Sequence, residues 1–154
     1  MEDQGHADIK IHPPILLLIH IFAALVLNRI FPLPLPFAYI FPISGGLFAL
    51  IGLMLAFAAV RELAMANTTI DPHGSVSTVV MTGPYRFTRN PIYLGFLCML
   101  IGFPMLFGTF WGIILVSVFM FLMDRLVIQH EEVYLEKKFG DIYTSYKSRV
   151  RRWL

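Results

Sequence analysis

The chain has 154 residues, of which 57% are hydrophobic and 14% charged, and its formal net charge is +2. Mean hydropathy is +0.71. So few charges cannot coat a water-soluble globule of this length, and so small a net charge excludes a nucleic-acid binder built on a basic surface. An all-α integral membrane protein is expected, in a single domain over 1–154.

Met1 to His12 is polar, with Glu2, Asp3, Asp8 and Lys10. It reads as a short tail, without the basic start and cleavage site of a signal peptide. Pro13-Pro14 opens the first apolar run, about 15–31, which just spans a bilayer core. His20 and Asn28 lie inside it or near its end. A lone intramembrane His reads first as hydrogen-bonded within a bundle, although polar groups there raise the odds of function. Pro32, Pro34, Pro36 and Pro42 make the first loop rigid and non-helical. The second span, about 43–65, carries Gly45, Gly46 and Gly52, which allow close helix approach. Arg61-Glu62 near its end can pair with each other or with the next loop. In that loop, Asn67 to Gly74 reads as turns. Ser77 to Met81 reads as extended and partly buried.

The third span, about 91–108, has an expected bend at Gly102-Phe103-Pro104. The fourth, about 110–129, follows so closely that the two form a helical hairpin. Asp124 and Arg125 are adjacent and so face different directions. Cys98, the one cysteine, reads as a packing residue. After His130 the chain becomes a cytoplasmic tail, 130–154. It carries Leu135, Phe139, Ile142, Tyr143, Tyr146, Val150 and Trp153 at the spacings of an amphipathic helix, with a break expected at Gly140-Asp141. Tyr143 and Tyr146 are read as packing residues. The basic end, Lys147, Arg149, Arg151 and Arg152, suits an anionic leaflet. About four transmembrane helices plus this tail make up the expected fold.

Basic residues orient the bundle. Arg29 is the only Lys or Arg near the first loop, and the hairpin turn has none. Both termini and the second loop are therefore expected in the cytoplasm. The polar stretch Thr82 to Gly95 and the pair Glu131-Glu132 then meet at one mouth. Gly83-Pro84 marks a turn. Asn90-Pro91 marks a helix start, with Asn90 expected to cap it. The free N–H groups and positive dipole end there, flanked by Arg86 and Arg89, suit an anion such as a carboxylate. Interfacial anchoring is the plainer reading of the two arginines. For Glu131-Glu132 the plainer reading is a solvated helix start. Adjacent helical residues point about 100° apart, so only one of these carboxylates is expected to face a pocket. His73 and His130-Glu131 lack a metal-ligand constellation, so no metal is expected.

Gly83-Pro84-Tyr85-Arg86, then Arg89-Asn90-Pro91-Ile92-Tyr93-Leu94-Gly95, then Glu131-Glu132 with Leu135, Phe139-Gly140, Tyr143 and Tyr146 resemble the isoprenylcysteine carboxyl methyltransferase family and the related phospholipid methyltransferases. The resemblance covers about Ser77 to Trp153. It implies S-adenosyl-L-methionine as cofactor without a Rossmann fold. The family's cofactor-binding segment falls on Ser77, Thr78, Val79 and Val80, its turn Tyr on Tyr85, its His-Pro-x-Tyr on Asn90, Pro91, Ile92 and Tyr93, and its cofactor Glu on Glu131. The family His is Asn90 here, which cannot become a cation. The Arg that serves the substrate carboxylate in the prenylcysteine enzymes falls on Val127; Arg125, two residues away, is the substrate-binding candidate. The implied activity is methyl transfer at the cytoplasmic membrane face. The acceptor is lipophilic: an isoprenylcysteine carboxylate, a lipid amine or a thiol. A scaffold that keeps the cofactor pocket and a small transporter subunit are the alternatives.

Overall fold

A computed structural model describes residues 11–35, 39–69 and 76–154. The expected polar tail up to Lys10, Pro36 of the first loop, and the part of the expected turns from Ile70 to Gly74, His73 included, lie outside the described residues. The described chain forms α1 (Pro13–Ile30), α2 (Ile40–Met65), a 3-10 turn (Gly83–Arg86), α3 (Pro91–Leu106), α4 (Trp111–Met123), a π-helical segment (Asp124–Ile128), α5 (Gln129–Phe139) and α6 (Asp141–Arg149). Proline opens α1 and α3, where its missing N–H costs no helical bond. Ser77 to Met81 forms no strand.

Three helices are long and apolar enough to cross a membrane: Pro13–Ile30, Ile40–Met65 and Trp111–Phe139; α3 is apolar but shorter. The third of these joins the expected fourth span to the start of the expected helical tail without a break. Helix continues for 29 residues from Trp111, about 43 Å against a hydrocarbon core of about 30 Å. The composition changes from apolar to charged at His130. Glu and Lys are good helix formers, so winding continues and carries Glu131 and Glu132 out on a stiff extension. The expected break does occur at Gly140, whose φ of 51° favours glycine.

α2 and α3 pack most extensively. A Cβ on Gly52 would stand 2.5 Å from the Gly95 carbonyl oxygen, and one on Gly95 would stand 2.6 Å from that of Gly52. Gly45 is similarly pressed, with Met105 Cβ 2.6 Å away, but at Gly46 a Cβ meets only Leu106 at an ordinary 3.4 Å. Close approach therefore explains two of the three glycines expected to serve it. α3 and α4 pack together as the expected hairpin. Phe119, Leu100, Met123, Val127 and Ile128 are fully buried at the core, with Leu16 and Leu17 of α1 beside them. His20 is hydrogen-bonded inside the bundle, its Nδ1 2.8 Å from the Leu16 carbonyl oxygen. Phe22, Ile43, Phe57 and Phe121 face outward, as lipid-facing positions do.

One end of the bundle is tied off by its loops. Leu35 N–H donates to Gly108 O (3.0 Å), Phe110 N–H to Leu33 O (3.0 Å) and Trp111 Nε1–H to Phe31 O (2.8 Å). The second loop, the start of α3, and α5 with α6 gather at the other end.

Candidate functional site

The site begins with a turn that favours glycine. Gly83 has φ 54°, and a Cβ there would lie 2.7 Å from the Glu62 side chain. Glu62, at the end of α2, accepts from the Thr82 hydroxyl, so the loop is its partner. The turn brings Tyr85 inward against Ala59 and Val80.

The start of α3 corrects the role expected of Asn90. Its carbonyl accepts from Leu94 N–H (2.9 Å), but its side chain makes no capping bond. The Asn90 amide donates instead to the Arg152 carbonyl (2.9 Å), as does the Thr88 hydroxyl (3.0 Å), while Arg89 N–H donates to Arg151 O (3.0 Å). An amide has donors as well as an acceptor, and the C-terminal strap (150–154) supplies carbonyls that need them.

Both carboxylates of the Glu131-Glu132 pair line the cleft, which corrects the expectation that only one faces it. Their surroundings differ. Glu132 has 6% side-chain exposure and meets Arg152 Nη2 at 2.6 Å, Arg152 Nε at 3.0 Å, Arg89 Nη2 at 3.2 Å and Lys147 Nζ at 3.4 Å. Glu131 accepts from the Tyr93 hydroxyl at 2.6 Å and pairs with no cation among the described residues. Arg89 has 9% side-chain exposure. Its Nε and Nη1 are buried and have no hydrogen-bond partner among the described residues.

Thr78, Val79, Val80 and Tyr85 line the cleft on the loop side, and Asn90, Pro91, Ile92, Tyr93 and Glu131 on the helix side. The cleft is half open to its surroundings, with about 140 Å³ of enclosed space. Two residues expected at the site lie elsewhere. Ser77 donates its N–H to Thr68 Oγ1 and its hydroxyl to Asn67 O, both at 3.0 Å, and does not line the cleft. Arg125 is exposed, with its guanidinium 5.6 Å from the centre of the Phe121 ring. Tyr134, Leu135, Tyr143 and Tyr146 also line the cleft. Tyr134 and Leu135 follow Glu131 by three and four residues, one helical turn on, so spacing could have found them. Tyr143 and Tyr146 are buried as expected of packing residues, but their place in the wall follows from the break at Gly140.

Burial raises the phenols of the wall. Tyr85 is pushed up by burial and then by Glu131. Tyr143 is pushed up by burial and Glu132, with Arg89 pulling back. Burial takes Tyr146 up to about 12. All three remain protonated near neutral pH, and Tyr146 donates to Tyr85 O at 2.7 Å. Arg152 is raised first by its hydrogen bond to Glu132.

The phospholipid methyltransferase family pattern matches residues 40–142. The chain belongs to this family. Family membership makes it a membrane methyltransferase. An uncharacterized protein of Haemophilus influenzae is 40% identical over 63 residues, which are 41% of this chain and 100% of that protein. Protein-S-isoprenylcysteine O-methyltransferase of Schizosaccharomyces pombe is 36% identical over 72 residues, 47% of this chain and 30% of that enzyme's length. No solved structure matches the chain.

Proposed function

We propose that the protein transfers a methyl group from S-adenosyl-L-methionine to a lipophilic acceptor at the cytoplasmic face of the membrane. The observation that carries this reading is the pair of polar groups in the cleft that the described residues do not complete. Glu131 has no cation partner and Arg89 has two unpartnered nitrogens, among the described residues. A carboxylate and a guanidinium available in one cleft complement a zwitterion, such as the methionyl end of the cofactor. Arg89 and the start of α3 would hold its carboxylate. Glu131 would accept from its ammonium or ribose hydroxyls. Tyr85 and Tyr93 offer π-faces to its sulfonium or adenine. When bound, this cofactor supplies an electrophilic methyl group on sulfur. The chain's own contribution is to align the reactants and exclude water, which an in-line displacement chiefly needs; the methyl carbon's bond to the cofactor sulfur breaks as its bond to the acceptor forms, and the proton lost by an amine or thiol acceptor leaves to solvent. Tyr143 and Tyr146 close one wall for that purpose.

Val127 stands where the resemblance places the substrate-carboxylate Arg, and it is fully buried in the apolar core. Arg125 lies outside the cleft. Both facts favour a lipid amine or a thiol over a prenylcysteine carboxylate as acceptor. Both termini lie in the cytoplasm in this reading, and reporters fused to either end are expected to show it.

The test is incubation of purified protein with methyl-labelled cofactor and a membrane lipid extract. A labelled lipid is expected, and its mobility names the acceptor class. Cofactor binding without any transfer would make the protein a scaffold. Solute flux in liposomes with no cofactor affinity would make it a transporter subunit.

A further inference from the structure

We infer that Arg152, in the C-terminal strap, is a positioning residue that aims Arg89 into the cleft; the inference rests on the cofactor reading above. Arg152 is tied at both of its ends. Its carbonyl accepts from Thr88 and Asn90, on either side of Arg89. Its guanidinium reaches Asp124 and, through two bonds of 2.6 and 3.0 Å, Glu132. Arg89 is caught between these ties. Its N–H is held by Arg151 O and its Nη2 lies 3.2 Å from the same Glu132. One nitrogen of the Arg89 guanidinium, Nη2, is thus anchored, while Nε and Nη1 have no hydrogen-bond partner among the described residues. Trp153 packs against the core, which seats the strap.

The π segment makes this arrangement possible. Asp124 and Glu132 are eight residues apart. In an unbroken α-helix they would be roughly 2.2 turns apart and about 80° out of line. The wider winding of Asp124–Ile128 takes rotation back, so one guanidinium bridges both. The fork does so through separate nitrogens, Nη1 to Asp124 and Nη2 with Nε to Glu132, an arrangement that a single lysine nitrogen does not reproduce.

The experiment uses the full chain purified in detergent, with S-adenosyl-L-homocysteine as a non-reacting probe in calorimetry. Arg152→Gln is expected to weaken binding about tenfold, with Arg152→Lys between it and the parent. In turnover, the cofactor KM rises and kcat at saturation is kept. In a Glu132→Gln background the Arg152→Gln effect should vanish, because the influence passes through Glu132. Without any ligand, amide hydrogen exchange over residues 88–94 should quicken in Arg152→Gln. Parent-like exchange and parent-like affinity in folded Arg152→Gln would overturn the inference, as would an undiminished effect in the Glu132→Gln background. A parent protein that binds no probe would overturn the proposed function, and the exchange data would then decide alone whether Arg152 holds the start of α3.

Discussion

On the strap side of the mouth, Asp124, Glu132 and Glu136 meet Arg89, Lys147 and Arg152, three acids against three bases. On the cleft side, Glu131 meets a neutral phenol and no cation among the described residues. The two regions are separated by one residue along α5. Where charges balance, they hold helices together. Where a carboxylate is left without a counter-ion in a partly enclosed space, holding it there is tolerable only if something polar or cationic completes its shell. A motif containing two glutamates therefore divides into one held by ion pairs and one without a counter-ion among the described residues, and the second is the one proposed to bind.

The sharpest way to break this comparison is to neutralise each carboxylate in turn. Glu132→Gln leaves the buried Arg89 charge without its partner and is expected to cost about 2–3 kcal/mol of stability, discounted from the fully buried case because Lys147 and Arg152 are part-exposed. Thermal unfolding in detergent without cofactor measures it. Glu131→Gln should leave that transition nearly unchanged and weaken cofactor binding by about 10- to 150-fold, the loss of a charge-assisted bond of roughly 1.5–3 kcal/mol. Equal unfolding shifts for the two variants would dissolve the distinction between the two sides. Tyr93→Phe removes only the donor at 2.6 Å from Glu131. A smaller loss of affinity is expected, about 0.5–1.5 kcal/mol by calorimetry. Ser77→Ala should be the least effect, within about 0.5 kcal/mol in binding and stability. A loss of affinity there as large as for Tyr93→Phe would return Ser77 to the cleft.

Much of the cleft's lining was legible because its parts are local. Thr78 to Tyr93 form one stretch, bounded by a glycine turn and a proline helix start, and the backbone limits of those residues hold in any context. Glu131 was legible as the second motif at the far end of a hairpin. Asn90 was read incorrectly because capping by the side chain is only one use of an amide. The competing acceptor, Arg152 O, comes from 62 residues away. Ser77 was misplaced for a similar reason: the carbonyl and hydroxyl of Asn67 and Thr68 hold it at the end of α2.

Hydropathy and the placement of proline by themselves determined that this chain is helical, that it belongs in a bilayer, and where most helices begin. Those properties follow from burying apolar side chains and from fixed backbone angles, which are set residue by residue. Tertiary structure alone decided that a π segment turns Asp124 and Glu132 toward one arginine, and that residues 150–154 close on the start of α3. Both depend on winding accumulated over many residues or on groups far apart in the chain, and a charge is matched or left over only once all its neighbours have arrived.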